Sequence, residues 1–359
     1  MIKYLGSKRS LISWILQVVE QIVQVESLKT VLDPFSGSAR VAHAFKARGF
    51  QVIASDYANY AYILAKALVE ADARIYPPER INPILDYLNK LPGEEGWFTE
   101  TYAYKARFFQ PFNAARIERI RREVDIIAEG DERLRAILLT SLMLAADKVD
   151  STTGIQMAFL KKWAPRSYNP LYLEYPPLLH GEGKALLGDA LEIVKQHDVD
   201  LLYIDPPYNQ HSYLANYHIW ETLVLFDAPT CYGVAQKRAD VKTRKSDFNS
   251  RSNAKEALRS IICNARARII LLSFNNEGFH TESELLELAS EKGYVAVLRH
   301  PYKRYIGAQI GIYNPKGEKV GKISHLKNEE LLFVISQNKN FIEHLKQNAS
   351  IAINQLKLL

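Results

Sequence analysis

Residues 201–210 read LLYIDPPYNQ: an apolar run stops on Asp205, Pro206, Pro207 and Tyr208. Neither proline has an N–H to give to a sheet ladder. The Asp205 carboxylate and the Pro206 carbonyl therefore stand as two fixed acceptors at the carboxyl end of a strand, where open α/β sheets take their ligands. A primary amine has two hydrogens to donate to such a pair. Donating both leaves electron density on the nitrogen and favours its pyramidal, nucleophilic form. The Tyr208 ring offers a flat face on which a base can stack. Taken as an isolated string, the same four residues serve equally well as a proline turn with an aromatic plug.

A second group lies near the start. In VLDPFSGSARVAHAF a strand ends at Asp33, Pro34 stops it, and Ser36-Gly37-Ser38-Ala39 form a small-residue turn leading into a helix. Small residues allow close approach to the backbone, and the helix start offers free N–H groups. The pattern is not GxGxxG, and an acid stands where a pyrophosphate binder would avoid one. About twenty residues on, the next strand ends at Asp56, placed to accept from ribose hydroxyls. An adenosine with a cationic amino-acid tail, S-adenosylmethionine, fits both carboxylates; for Asp56 alone, capping of the next helix explains as much. Asp189, in LLGDALEIV, is placed to cap its own helix and to accept from the adenine amino group of that cofactor. No cysteine adjoins Asp205–Tyr208, so direct transfer to an amine is expected rather than the covalent route of a cytosine-C5 enzyme.

These residues need a parallel, helix-flanked sheet to position them. Strand, turn, helix, strand, helix follow in order over the first 70 or so residues. An amphipathic helix over 9–25 precedes them, and Gly49 ends the helix VAHAFKARG. From about 75 to 180 the strand signal vanishes, and helical segments at 113–129 and 131–148 mix with aromatic and proline-rich stretches. Apolar runs return at KALLGDALEIV, DLLYIDPPY, ETLVLFD, ARIILLSFN, YVAVLRH and ELLFVISQ. The expected fold is α/β: a Rossmann-like core from residues 1–72 and 183–359, with a mostly helical insertion over 73–182. No internal repeat is visible.

With 47% hydrophobic and 24% charged residues and no low-complexity tract, the 359-residue chain is expected to pack as a globular protein. No apolar run approaches the roughly 18–20 residues that span a bilayer, and the broken apolar pattern of the N-terminus lacks a cleavage site, so a cytoplasmic location is expected. Cys231 and Cys263 have no metal-ligand spacing with any histidine, and neither a metal nor a disulfide is expected. The net charge of +6 is mild. Its distribution matters more: the stretch 237–255 carries Lys237, Arg238, Lys242, Arg244, Lys245 and Arg251, a candidate phosphate-binding segment. Arg299, Tyr302, Lys303, Arg304 and Tyr305 form a second basic and aromatic cluster. In the insertion, Lys105, Arg107, Arg116, Arg119, Arg121 and Arg122 alternate with acids, which fits a solvated helix with i,i+4 pairs. Base-reading residues are expected instead in stretches such as KKWAPRSYNPLY.

IKYLGSKR, LDPFSGSARV, GDAL and DPPYNQ, in that order, resemble the DNA adenine-N6 methyltransferases of the Dam-like type, in which the cofactor motif precedes the target-recognition region and that region precedes the catalytic motif. The resemblance covers the N-terminus, the first α/β unit and most of 185–335. It implies that Lys3, Tyr4 and Lys8 hold the carboxylate end of the cofactor, and that Asp33, Phe35 and Gly37 form its turn. It further implies that Asp56 takes the ribose, Asp189 the adenine side, and Asp205–Tyr208 the target amine. The substrate so implied is an adenine swung out of duplex DNA, as a stacked amine cannot meet a methyl donor. A restriction-modification system follows as the expected setting, with a cognate restriction endonuclease as candidate partner. Two departures stand out: the insertion is long, and the turn ends Ser-Ala rather than Ser-Gly. The residues by themselves serve cytosine N4, RNA or a glutamine amide too, and a non-catalytic DNA-binding protein is the reading from another class.

Overall fold

The computed structural model describes residues 1–276, 278–303 and 327–356. The chain divides into two compact units. The first comprises residues 1–9, 29–193 and 211–246, the second residues 10–28, 194–210 and 247–359. The strands, in chain order, are β1 (Thr30–Asp33), β2 (Gln51–Asp56), β3 (Gly183–Leu187), β4 (Asp198–Ile204), β5 (Cys231–Tyr232), β6 (Lys237–Arg238), β7 (Arg266–Asn275), β8 (Tyr294–Lys303) and β9 (Lys327–Ser336).

In the first unit β3, β2 and β1 lie side by side and parallel, with Val31 opposite Val52 and Ile53 opposite Lys184. The helix Arg40–Ala47 links β1 to β2, and the helix Asn59–Ala65 follows β2. Val31, Leu32, Val52 and Ala54 are buried in the sheet. The second unit holds the order β4-β7-β9-β8. Its β4 and β7 are parallel, and β9 is antiparallel to both its neighbours. Parallel strands joined through helices give both units the expected Rossmann-like α/β character.

The insertion is helical as expected, with helices Pro78–Lys90, Pro111–Ile127 and Glu132–Val149 and no strand between β2 and β3. It belongs to the first unit together with β1–β3 and is not a body of its own. The i,i+4 pairs are there: Arg119 with Glu123 and Arg122 with Glu118. Arg121 departs from the solvated reading. It is 1% exposed, donates to the carbonyls of Leu223 and Val224 at 2.7 and 2.9 Å, and pairs with Asp125. It thereby closes the C-terminal carbonyls of the helix His218–Leu225, a favourable place for a cation. ETLVLFD, one of the apolar runs, belongs to this helix rather than to a strand. Trp220 is buried within it, consistent with the helical spacing of Tyr217, Trp220 and Leu223.

The helix after β2 ends in a π turn over Lys66–Glu70, with the Ala71 N–H bonded to the Lys66 carbonyl. That wider turn leaves the carbonyls of Val69 and Ala71 without helical partners. Buried Lys46 takes both, its Nζ donating at 2.7 Å to each, while burial lowers its pKa to about 8. Lys46→Met leaves two buried acceptors unsatisfied and should cost about 2–4 kcal/mol in urea unfolding.

Candidate active site

Each unit carries one part of the chemistry anticipated from sequence. In the first, the turn after β1 is held open by left-handed backbone at Gly37 (φ 49°) and Ala39 (φ 57°). The Ser36 N–H donates to the Ser55 carbonyl at 2.9 Å, and the Gly37 N–H donates to Asp56 Oδ2 at 2.9 Å. The acid at the tip of β2 thus fastens the turn at the tip of β1. Its other oxygen accepts from the Ala58 N–H at 3.0 Å. Burial pushes the Asp56 carboxyl up to about 6; the N–H groups of Ala58 and Gly37 pull against this, and Glu221 adds to it. Asp33 is more deeply buried, with Oδ1 accepting from the Phe35 N–H at 3.2 Å.

Gly37 has a second reason to lack a side chain. A Cβ there would stand 3.0 Å from Tyr4 Oη and 3.1 Å from the same ring's Cε1. Tyr4 stacks between Tyr217 (centroids 4.6 Å, 14° between planes) and Tyr213 (5.3 Å, 11°), and its hydroxyl meets that of Tyr60 at 3.1 Å. Burial, with Tyr60 and Asp56 nearby, holds the Tyr4 hydroxyl protonated well above its ordinary range. The result is a stack of aromatic rings beside a small-residue turn.

Lys3 differs from its expected role. Its Nζ donates to the Asp147 carbonyl and to Asp150 Oδ1 at 2.5 and 2.8 Å, and its N–H donates to Asp147 Oδ2. Lys3 anchors the segment that presents Tyr4 instead of standing open for a carboxylate. Lys8 is buried at 4% exposure. Asp189, at the end of β3, is exposed and caps its own helix, with Oδ1 accepting from the Leu191 N–H at 2.8 Å.

In the second unit β4 ends at Ile204, so Asp205 is the first residue beyond the strand. The tetrapeptide is held from behind. The Phe279 N–H donates to the Tyr208 carbonyl at 2.8 Å, and Asn249 Nδ2 donates to the Asn209 carbonyl at 2.8 Å. The Tyr208 ring leans on Phe274 (5.7 Å, 58°). Pro206, Pro207 and Tyr208 lie over an apolar group that includes Phe248, Leu258 and Phe279. These supports, Phe279 and Asn249 above all, had no signal in the sequence.

The basic segment separates into two kinds of residue. Lys242, Lys245 and Arg251 are exposed, Lys242 with its ammonium 3.8 Å from the centre of the Tyr232 ring. Arg238 cannot serve as a phosphate contact. It is 3% exposed and grips Asp227 with two bonds of 2.6 and 2.8 Å and Asp240 with two of 3.1 and 3.0 Å. Burial works against that charge, but the two carboxylates hold its pKa above the ordinary arginine value. Arg244 is also turned inward, to Glu221 at 2.8 Å and the Tyr57 carbonyl at 3.2 Å. Lys237 is half-buried, which lowers its pKa. Arg299 pairs with Glu282 and Glu329. Arg304 and Tyr305 lie outside the described residues, as do the side chains of Tyr302 and Lys303.

Residues 4–285 match the family model for D12 class N6 adenine-specific DNA methyltransferases. The chain belongs to this family. Among curated relatives, the modification methylase StsI of Streptococcus sanguinis is 31% identical over 320 residues, covering 84% of this chain and 48% of that protein. The type II methyltransferase M.NlaIII of Neisseria lactamica is 28% identical, covering 90% of this chain and 98% of that protein. M.FokI of Planomicrobium okeanokoites is 29% identical over 99% of this chain and 56% of its own length. The chain thus spans about half of the first and third relatives and nearly all of the second. Membership in a methyltransferase family implies use of S-adenosylmethionine. Among the described residues, no helix is long and apolar enough to cross a membrane.

Two outcomes follow from the turn. Gly37→Ala must adopt a left-handed backbone and displace Tyr4, so it should lose about 1–2 kcal/mol in urea unfolding and bind S-adenosylhomocysteine more weakly. Asp56 accepts hydrogen bonds as an anion and becomes protonated as pH falls through about 6. Calorimetric titration should show affinity for S-adenosylhomocysteine falling from pH 7 to pH 5, while Asp56→Asn binds weakly with no such limb.

Proposed function

We propose that this D12-family chain methylates the N6 amino group of adenine in duplex DNA at a specific site, as the modification activity of a restriction-modification system. The observation that carries the reading is the strand-terminal Asp205-Pro206-Pro207-Tyr208, backed by donors from Asn249 and Phe279, in a chain whose family acts on that amine.

The first unit suits an adenosine cofactor. Its turn is built of small residues, a Cβ at Gly37 would fill the space against Tyr4, and the donor set is a carboxylate among aromatic rings. In this reading Asp33, Phe35, Gly37 and Asp56 hold the nucleoside, Tyr4 closes over it, Lys8 faces the carboxylate end, and Asp189 accepts from the adenine amino group. Bound there, S-adenosylmethionine supplies an electrophilic methyl group. Asp205 and the Pro206 carbonyl accept the two hydrogens of the target amine, orient its lone pair and stabilise the positive charge that develops on nitrogen. Tyr208 stacks on the extruded base. Fixing the amine in one orientation converts an encounter into a positioned reaction, a large share of the rate. Lys242, Lys245 and Arg251 offer cations to the DNA backbone, and the exposed Tyr168 and Tyr172 of the insertion are candidate base-reading residues. The type II names of the relatives support a modification role and a cognate endonuclease as partner.

Asp205→Ala tests the assignment. Methyl transfer from labelled S-adenosylmethionine to mixed-sequence duplex DNA should fall by at least about 10³-fold, with S-adenosylhomocysteine affinity within about twofold of wild type. Near-normal transfer by this variant would refute the catalytic role.

A further inference from the structure

Glu221 is a fully buried carboxylate in the middle of a largely apolar helix, and no part of the proposed function uses it. Its Oε2 accepts from the Tyr60 N–H at 3.0 Å, and its Oε1 accepts from Asn59 Nδ2 at 2.7 Å. The helix Asn59–Ala65 has no capping side chain of its own, so an acid from a distant helix supplies the anion that its N-terminus favours. That helix begins three residues after Asp56.

A buried carboxylate needs a cation, and Arg244 provides it. Its Nη1 lies 2.8 Å from Glu221 Oε1 and its Nη2 donates at 3.2 Å to the carbonyl of Tyr57, the residue next to Asp56. Arg244 thus holds the residue that follows β2 directly and, through Glu221, the start of the next helix. It is in turn set by Asp240, 3.5 Å away, and Asp240 is held by Arg238, which also binds Asp227. A continuous run of charge-assisted bonds joins the β5–β6 hairpin to the backbone carrying the ribose-side acid.

We infer that Glu221 and Arg244 are a positioning pair for the cofactor site, fixing Asp56 and the start of the following helix, and that Arg244 serves the cofactor rather than DNA phosphate. The inference rests on the proposed cofactor role of Asp56. The pair touches neither substrate nor target base. It acts on cofactor affinity through the backbone of residues 57–60, and the methyl-transfer step itself is untouched.

Calorimetric titration of the full chain with S-adenosylhomocysteine, together with steady-state kinetics, tests the pair. Arg244→Met should raise the dissociation constant, and the KM for S-adenosylmethionine, at least about tenfold, with kcat at saturating cofactor within about twofold. Arg244→Lys, which restores the charge without the second bond, should recover part of the loss. Arg244→Met combined with Glu221→Gln should bind more tightly than Arg244→Met alone, because the stranded buried charge is removed with its partner. Wild-type affinity in Arg244→Met, or a fall in kcat at unchanged affinity, would overturn the pairing. A wild-type chain that does not bind the nucleoside at all would overturn the proposed function itself, and the pairing with it.

Discussion

A half-buried carboxylate at the end of a parallel strand is the constraint on which the first unit turns. Asp56 holds the N–H groups of Gly37 and Ala58, so one side chain fixes two adjacent strand tips and the turn between them. An ionised group in such a place is tolerated only when backbone donors and nearby cations compensate for the lost water. Much of the surrounding structure reads as that compensation. Glu221 adds to the upward pressure on Asp56, Arg244 sits against Glu221 as its counter-charge, and Arg244 is held by Asp240, which Arg238 also binds. The aromatic stack of Tyr4, Tyr213 and Tyr217 shields the same corner.

The second unit solves a different problem with apolar means. A strand ending in two prolines has no ladder to hold its tail, and the tail needs other ties. They come from the Phe279 N–H and Asn249, and from the ring contact of Tyr208 with Phe274. Pro206 is buried over an apolar group that includes Phe248 and Phe279, which leaves little room for the loop to fold inward. A rigid acceptor pair is useful only if it does not relax when an amine arrives, which is the sense of building it from imino acids on a supported strand end.

The sequence showed the strand-end acids, the small-residue turn and the Asp-Pro-Pro-Tyr stop, because each breaks a local pattern: an acid or proline ending an apolar run. It also showed the helical character of 73–182, where the period of two disappears. Charge counting over 237–255 misled, since composition cannot tell an arginine facing water from one folded onto Asp227 and Asp240. The ion pairs of Lys3 were hidden for the same reason, its partners Asp147 and Asp150 lying more than 140 residues away in the chain. Glu221 left one trace, an acid within the largely apolar stretch HIWETLVLF, which reads as a buried charge only once its partners are known. Ala39 shows the limit of motif matching. A non-glycine residue holds the left-handed position of the turn, fully buried.

The central claim is that paired acceptors at Asp205 and Pro206 act on the exocyclic amine of adenine. It is tested most directly by incubating the chain with labelled S-adenosylmethionine and duplex DNA, digesting to nucleosides and identifying the labelled base by mass spectrometry. The account predicts label in N6-methyladenine. Label in N4-methylcytosine, or in RNA or protein alone, would contradict it.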